Sequence, residues 1–175
     1  AGLKLTQGQL ALHAVDTHSR RVDGSVRSGA GTLTVAGVAG FGGDVATDIA
    51  VKGSRFTAAD IPAAKVAISP DLRLQRNAQG LDIGGTVLLD SADVNLDRLP
   101  GAGASNASPD VVVIDRPQPE PGASLPFTAT VKVDLGHRTH LAGMGLDGRL
   151  GGVLTVSERP GRATTGQGQV TVSGT

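Results

Sequence analysis

A short run at residues 143–148, GMGLDG, has the Gly-x-Gly-x-x-Gly spacing of a dinucleotide-binding loop. In such a loop the glycines lie between a strand and a helix whose N-terminus receives the pyrophosphate, and an acidic residue follows about 20 positions later. Here the next segment, RLGGVLTVSERPG, is interrupted by glycine and alternates with a period of two, which is typical of a strand. We therefore predict that the loop is a turn or bulge between strands and binds no dinucleotide.

Two histidines, His137 and His140, lie three residues apart with Asp134 nearby, and two imidazoles with a carboxylate could ligate zinc. Residues three apart in a strand point to opposite faces, so a shared metal would need a local turn. We interpret them as exposed histidines near a strand end and predict no metal and no cofactor. Because the Gly-x-Ser-x-Gly spacing of a hydrolase nucleophile is also missing, we predict that the protein is not an enzyme.

The composition excludes further classes of protein. Sixteen basic residues balance sixteen acidic ones without forming a run, so the basic stripe of a nucleic-acid-binding protein is missing. The chain has no cysteine and cannot be a disulfide scaffold. No apolar stretch approaches the roughly 18 residues of a membrane span. Since the chain begins without Met and stops inside a strand pattern, we expect it to be a fragment of a much longer chain.

Apolar residues recur with a period of two along most of the chain. Over residues 64–74 and 125–135 the alternation continues for eleven residues, which predicts long strands with one dry face and one wet face. The only helical signal is a possible N-cap at Thr57, which suggests one helical turn near Ala58–Ile61, ended by Pro62. We predict an all-β fold with little or no helix.

The domain organisation is read from a single interruption of the strand pattern. Residues 100–124 are rich in Pro, Gly, Ser and Ala, which predicts a long, flexible and exposed connection. This connection divides the strands into a larger N-terminal set and a smaller C-terminal set that could share one sheet. We predict one β domain over residues 1–175.

The dry face is almost purely aliphatic, with three Phe, one Met and no Trp or Tyr in the chain to fill an interior. Glycine makes up about 15% of the residues against an average of about 7%, which indicates a backbone that bends often. Two arrangements fit: a sandwich with a sealed core, and a curved sheet whose dry face lines an open groove. The predicted lining residues of such a groove are Val66, Ile68, Leu72, Leu74, Leu81, Ile83, Val87, Leu89, Phe127, Val131, Val133, Leu135, Leu150, Leu154 and Val156.

Several segments also occur in a distinctive order. A strand ending in Asp134-Leu135-Gly136 is followed by GMGLDGRLGGVLTV over residues 143–156 and then by the Pro160-Gly161 turn. In this order they resemble the C-terminal region of the TamB family. Members of that family are the inner-membrane subunit of the bacterial translocation and assembly module. AISPDLRLQ, LDSADVNLDRLP and SPDVVVID also resemble family segments, so the likeness covers most of Ile68–Thr175. Met144 stands where the family usually has an aromatic residue.

The resemblance implies a fold and a role. The fold would be a long curved sheet rolled into a trough, called a β-taco, with an aliphatic interior. The family is described as moving phospholipid from the inner towards the outer membrane, and as helping outer-membrane β-barrel proteins and autotransporters to assemble. Its partner would be the outer-membrane subunit TamA, contacted through the family's last segment, which is truncated here.

The resemblance also implies a location in the periplasm of a Gram-negative bacterium, with the chain tethered to the inner membrane by an N-terminal helix outside this fragment. Two roles stay open at this point. In the first, the groove holds acyl chains. In the second, a free sheet edge adds a client strand by β-augmentation.

Overall fold

A computed structural model of the chain describes residues 3–41, 45–78, 80–99 and 126–174. These residues form one mixed sheet of eleven strands, and the only helical element among them is a 3₁₀ turn at Leu96–Arg98. The strands are β1 (Leu5–Ala14), β2 (Ser19–Ser28), β3 (Gly31–Gly40), β4 (Thr47–Ser54), β5 (Phe56–Ile61), β6 (Ala64–Asn77), β7 (Gly80–Asn95), β8 (Phe127–Asp134), β9 (Thr139–Gly143), β10 (Leu146–Glu158) and β11 (Thr165–Gly174).

Nine of the strands follow one another across the sheet in the order β1-β2-β3-β4-β6-β7-β8-β10-β11. Neighbours on this path are antiparallel except β7 and β8, which pair in parallel. The short strand β5 pairs with β6, and β9 pairs with β7 and β10. A parallel pair needs a crossover of a dozen or more residues, and the long segment after Leu99 provides it. The predicted connection 100–124 lies outside the described residues, but the strand sets on either side of it share one sheet.

The sheet forms a trough instead of one half of a sandwich. In the described residues no second sheet packs on its apolar face, and only five apolar side chains are buried. A sealed sandwich of this length would bury far more of its apolar residues. Most apolar side chains in the middle of the sheet are half-buried, because they are covered by side chains of the neighbouring strands on one side only. The predicted all-β trough is therefore confirmed.

Two glycines inside strands allow a neighbouring strand to approach closely. Gly85 in β7 and Gly152 in β10 have φ angles of 134° and 121°, a region that residues with a Cβ rarely adopt. A Cβ at Gly85 would overlap the carbonyl oxygen of Asp71, and one at Gly152 would overlap that of Gln169. The neighbouring backbone is so close at both positions that only glycine fits.

A bulge keeps the apolar face continuous along the longest strand, β7. Ile68 of β6 pairs with Leu89, but Ala67 pairs with Ser91, so Asp90 is the extra residue. The Asp90 carboxylate accepts a hydrogen bond of 2.6 Å from the Ser69 hydroxyl, which fixes the bulge. Before Asp90, the odd-numbered residues of β7 lie on the apolar face. After Asp90, the even-numbered residues do, because the bulge shifts the pairing by one residue.

The predicted helical turn near Ala58–Ile61 is wrong, because these residues belong to strand β5. Ile61 pairs with Ala64 across a tight turn made by Pro62 and Ala63, so Pro62 closes a hairpin and does not end a helix. Cross-strand pairing with β6 outweighs the local capping signal. The 3₁₀ turn lies instead at Leu96–Arg98, where the Asn95 side chain accepts a hydrogen bond of 3.0 Å from the Asp97 amide.

Candidate functional site

An uninterrupted apolar row crosses the whole sheet on its inner face. Residues that pair across neighbouring strands point to the same side, so the pairing register traces such a row directly. Across all nine strands of the path, the row has no polar side chain. Its members are Leu10, Gly24, Val35, Val51, Leu72, Gly85, Val131, Val156 and Gly166.

The rows on either side of it are also apolar for most of their length. One passes through Leu12, Val22, Gly37, Ile49, Leu74, Ile83 and Ala129 before it ends at Glu158. The other passes through Pro70, Val87, Val133, Leu154 and Gly168. Together the three rows make a strip of aliphatic side chains and glycine, perpendicular to the strands, that we call the apolar strip.

The residues predicted to line a groove are brought together on this face. Fourteen of the fifteen lie in strands with their side chains on the side of the apolar strip, and Leu135, directly after β8, is buried. The structure thus gathers a set that the sequence scatters over residues 66–156. Its role as a lining for lipid stays a prediction.

Sequence reasoning missed the contribution of the first three strands. Leu10, Gly24 and Val35 extend the apolar strip over β1, β2 and β3, which no predicted lining residue represents. The signal that could have found β2 is the alternation of Val22, Gly24 and Val26 with charged or polar residues.

The outer face of the sheet is polar and carries cross-strand ion pairs. Between β4 and β6, the Nζ atom of Lys52 lies 3.3 Å from Oδ2 of Asp71, and the Arg73 guanidinium forms an ion pair with the Asp48 carboxylate. The hydrogen bond from Arg73 lowers the pKa of Asp48 below its ordinary value. All four side chains are well exposed, so these pairs keep the outer face hydrated and add little stability.

The two histidines of the sequence motif lie in different surroundings. His137 is exposed in the connection after β8, whereas His140 lies in β9, with its Nε2 2.9 Å from Asp147 and its Nδ1 3.8 Å from Asp93. The hydrogen bond with Asp147 raises the pKa of His140 above its ordinary value. Within the ranges that the structure covers, no three acidic or histidine side chains converge as metal ligands.

The Gly-x-Gly-x-x-Gly run forms the hairpin between β9 and β10, so the prediction of a turn between strands is confirmed. Gly143 pairs with Leu146, and Met144 and Gly145 are the two central residues, with φ angles of 53° and 80°. Positive φ at both positions is the signature of a type I′ turn. The Met144 amide donates a hydrogen bond of 2.9 Å to the Asp97 carboxylate, which attaches the hairpin to the 3₁₀ turn.

Met144 occupies a backbone conformation that suits glycine or asparagine better. Its side chain is 63% exposed and contributes little packing. We expect Met144→Gly to raise the free energy of unfolding by about 0.5–1 kcal/mol, because it relieves the positive-φ strain. The measurement is the midpoint of urea unfolding, with Leu146→Gly, a substitution at a neighbouring exposed strand position, as the control that should destabilise. A lower midpoint for Met144→Gly would contradict this account.

The two ends of the sheet are open. Within the residues that the structure describes, β1 and β11 each pair with a single neighbour, and every residue of β11 is exposed. The apolar face stays uncovered there, since Leu10 and Val172 are 69% and 65% exposed. In the part of the chain that the structure describes, no helix is long and apolar enough to span a membrane.

Comparison of the sequence with known proteins identifies a family that it matches. The family model described as the TamB C-terminal domain matches residues 21–175. The chain is 24% identical over 174 residues to the translocation and assembly module subunit TamB of Haemophilus influenzae. That alignment covers 91% of this chain but only 13% of the relative. No solved structure matches the chain.

Proposed function

Since this chain belongs to the TamB family, we propose that it serves envelope biogenesis by holding lipid acyl chains against the apolar strip, without catalysing a reaction. The single observation that carries the proposal is the nine-strand row without a polar side chain, on a face that no described element covers.

The physical need for such a surface is large. Two acyl chains of a phospholipid expose about 30 methylene groups, and at about 0.8 kcal/mol each their transfer through water costs on the order of 20 kcal/mol. Side chains of Val, Leu and Ile remove most of that cost, because they bring no polar atom that would be left without a hydrogen bond. No catalytic residue is needed for this role.

The dimensions of the apolar strip also support an acyl ligand. With neighbouring strands about 4.8 Å apart, a row across nine strands is about 40 Å long. The hydrocarbon core of a bilayer is about 30 Å thick, so one acyl chain spans about 15 Å. The strip is therefore long enough for a chain laid along it, with room for further chains end to end.

The setting of this activity is part of the proposal. We place the chain in the periplasm of a Gram-negative bacterium, tethered to the inner membrane by a helix outside this segment, with phospholipid moving between the membranes and TamA as outer-membrane partner. The support is family membership and the relative named as a translocation and assembly module subunit.

A charge in the middle of the apolar strip should abolish lipid binding. Val131 pairs with Gly85 and Val156 in the central row, so Val131→Asp would put a carboxylate where acyl chains lie. Val133→Asp does the same one row away. Burying an unpaired carboxylate against hydrocarbon costs several kcal/mol, enough to reduce binding more than a hundredfold. The measurement is native mass spectrometry of the chain purified from bacterial membranes, followed by extraction of bound lipid.

The matched control is Thr130→Asp, at the adjacent position on the outer face of β8, where the side chain pairs with Gly84 and Ser157. It adds the same charge to the same strand and should leave the lipid adduct intact. Equal lipid occupancy in Val131→Asp, Val133→Asp and Thr130→Asp would refute the groove role.

The open edges favour a second candidate, in which the chain acts as a β-augmentation chaperone for outer-membrane β-barrel proteins. Among the described strands, the exposed ten-residue strand β11 pairs with β10 alone, so half of its backbone groups are free to pair with an incoming strand. Capture of an unfolded barrel segment by this edge would not involve the apolar strip.

Proline in β11 distinguishes this candidate from the groove. In an antiparallel edge strand, successive residues direct their N–H groups alternately inwards and outwards. Thr171 and Val172 are adjacent, so the N–H group of one of them points inwards to β10. Proline at that position removes a hydrogen bond of the sheet and should destabilise it. Proline at the other position should keep the fold and reduce capture of a barrel peptide at least tenfold, as measured by fluorescence anisotropy. Unchanged capture by the folded variant, or its loss in Val131→Asp, would contradict the chaperone role.

A further inference from the structure

The connection between β10 and β11 holds two arginines close together. The Arg162 amide donates a hydrogen bond of 3.2 Å to the Arg159 carbonyl, which closes a β-turn with Pro160 and Gly161 at its centre. Gly161 has a φ of 68°, as the third residue of a type II turn requires. The first and last residues of such a turn have Cα atoms within about 7 Å, so the turn brings the two guanidinium groups to one site.

A cavity of about 260 Å³ lies beneath this turn. Its lining combines the two arginines with hydroxyl and amide groups of the outer face, namely Thr155, Ser157, Thr165 and Gln167, and with Ala163. Lys132 pairs with Thr155 and adds a third cation beside this lining. We call this set the turn cavity.

In the part of the chain that the structure describes, no carboxylate lies within ion-pair distance of Arg159 or Arg162. Among the described residues, neither Arg159 nor Arg162 makes an ion pair, in contrast to Arg73 on the same face. The nearest acidic side chain in the sequence, Glu158, accepts a hydrogen bond from the Thr164 hydroxyl and pairs with Ala129, on the opposite face. Two guanidinium groups that line one cavity repel each other, and an anion bound between them would replace that repulsion with two attractive interactions.

We propose that the turn cavity binds a phosphoryl group. A guanidinium donates two parallel hydrogen bonds to a phosphate, and a phosphate dianion matches the charge of two arginines. The Thr155 and Ser157 hydroxyl groups, which also line the cavity, can donate to the remaining oxygen atoms. The site lies on the outer face, so it is distinct from the apolar strip and does not depend on the lipid-groove proposal.

The test is a titration of the chain with inorganic phosphate at constant ionic strength, followed by NMR. We expect saturable shifts of the Arg159 and Arg162 Nε–H signals and of the Thr155 and Ser157 amides. R159Q/R162Q should weaken the apparent affinity about a hundredfold, or about tenfold for each guanidinium. Arg149→Gln, a change to an outer-face arginine of β10 outside the cavity, should leave the affinity unchanged.

A second titration, with phosphatidylcholine vesicles that contain or lack phosphatidic acid, identifies the source of the phosphoryl group. Binding that needs phosphatidic acid and is lost in R159Q/R162Q assigns the site to a lipid headgroup. A response to inorganic phosphate without vesicle binding assigns it to a soluble phosphate compound. Shifts that do not saturate or that survive in R159Q/R162Q would overturn the proposal, as would vesicle binding without a response to inorganic phosphate.

Discussion

Gly85→Ala is expected to lower the free energy of unfolding by about 3 kcal/mol, a large part of the 5–15 kcal/mol typical of a domain. At a φ of 134° any residue with a Cβ is strained, and the new methyl group would overlap the carbonyl oxygen of Asp71 on β6. To relieve the overlap, β6 and β7 would have to separate in the middle of the sheet. The Leu72–Gly85 pair and its neighbours in the β6–β7 ladder would be weakened.

The adjacent residue provides the control. Gly84 lies on the outer face of the same strand, and a Cβ there would have no neighbour closer than 3.8 Å, the Thr130 carbonyl oxygen. Gly84→Ala should be neutral or stabilise the chain by up to about 1 kcal/mol, because alanine restricts the unfolded chain more than glycine does. The measurement is chemical unfolding followed by circular dichroism. Equal midpoints for the two variants would show that the close approach of the Asp71 carbonyl does not make glycine necessary at position 85.

Phe56→Ala is expected to cost about 3–5 kcal/mol, the usual range for a buried phenylalanine. Phe56 is 7% exposed and pairs with Ile68 in a sheet that has only five buried apolar side chains. Its backbone also lies against Gly31 at the start of β3, so Phe56 joins β5 to the hairpin of β2 and β3. With so small a core, the loss of one large side chain cannot be compensated elsewhere.

Phe41 serves as the matched control for this change. It is 55% exposed, so Phe41→Ala removes the same atoms without opening a cavity and should change the unfolding free energy by less than about 1 kcal/mol. Thermal and chemical unfolding of both variants provide the comparison. A similar loss of stability in the two would mean that Phe56 is no more important to the core than a surface residue.

Long alternating segments were the reliable part of the sequence prediction. In β6 and β8 the period of two assigns each side chain to a face. The pairing register places Leu72 and Val131 in the same row of the apolar face, one on each side of Gly85, as the alternation predicts. The contribution of β2 and β3 was missed because Gly24 and Gly37 occupy apolar-face positions and weaken the alternation, and that of β1 because its register shifts between Thr6 and Gln9. Those glycines become recognisable as part of an apolar row only when their cross-strand partners are known.

The shape of the sheet could not be read from any single strand. Alternation describes one strand and one face, whereas the difference between a sandwich and a trough depends on how many layers distant strands form. The error at Ala58–Ile61 has a similar cause, since β5 is stabilised by residues of β6 that a local capping signal does not include. The turn cavity was also invisible, because it requires Arg159 and Arg162 to lie over the outer face of β10 and β11.

The parallel pair of β7 and β8 has a consequence for how the chain folds. The other pairs on the path join strands that are close in sequence, so β1 to β7 can form by successive hairpins, as can β8 to β11. Joining the two halves brings together strands separated by about 30 residues of chain, an entropic cost that local hairpins avoid. We therefore expect the two halves to dock in the last step of folding, and the boundary between them to open first when the sheet is pulled apart.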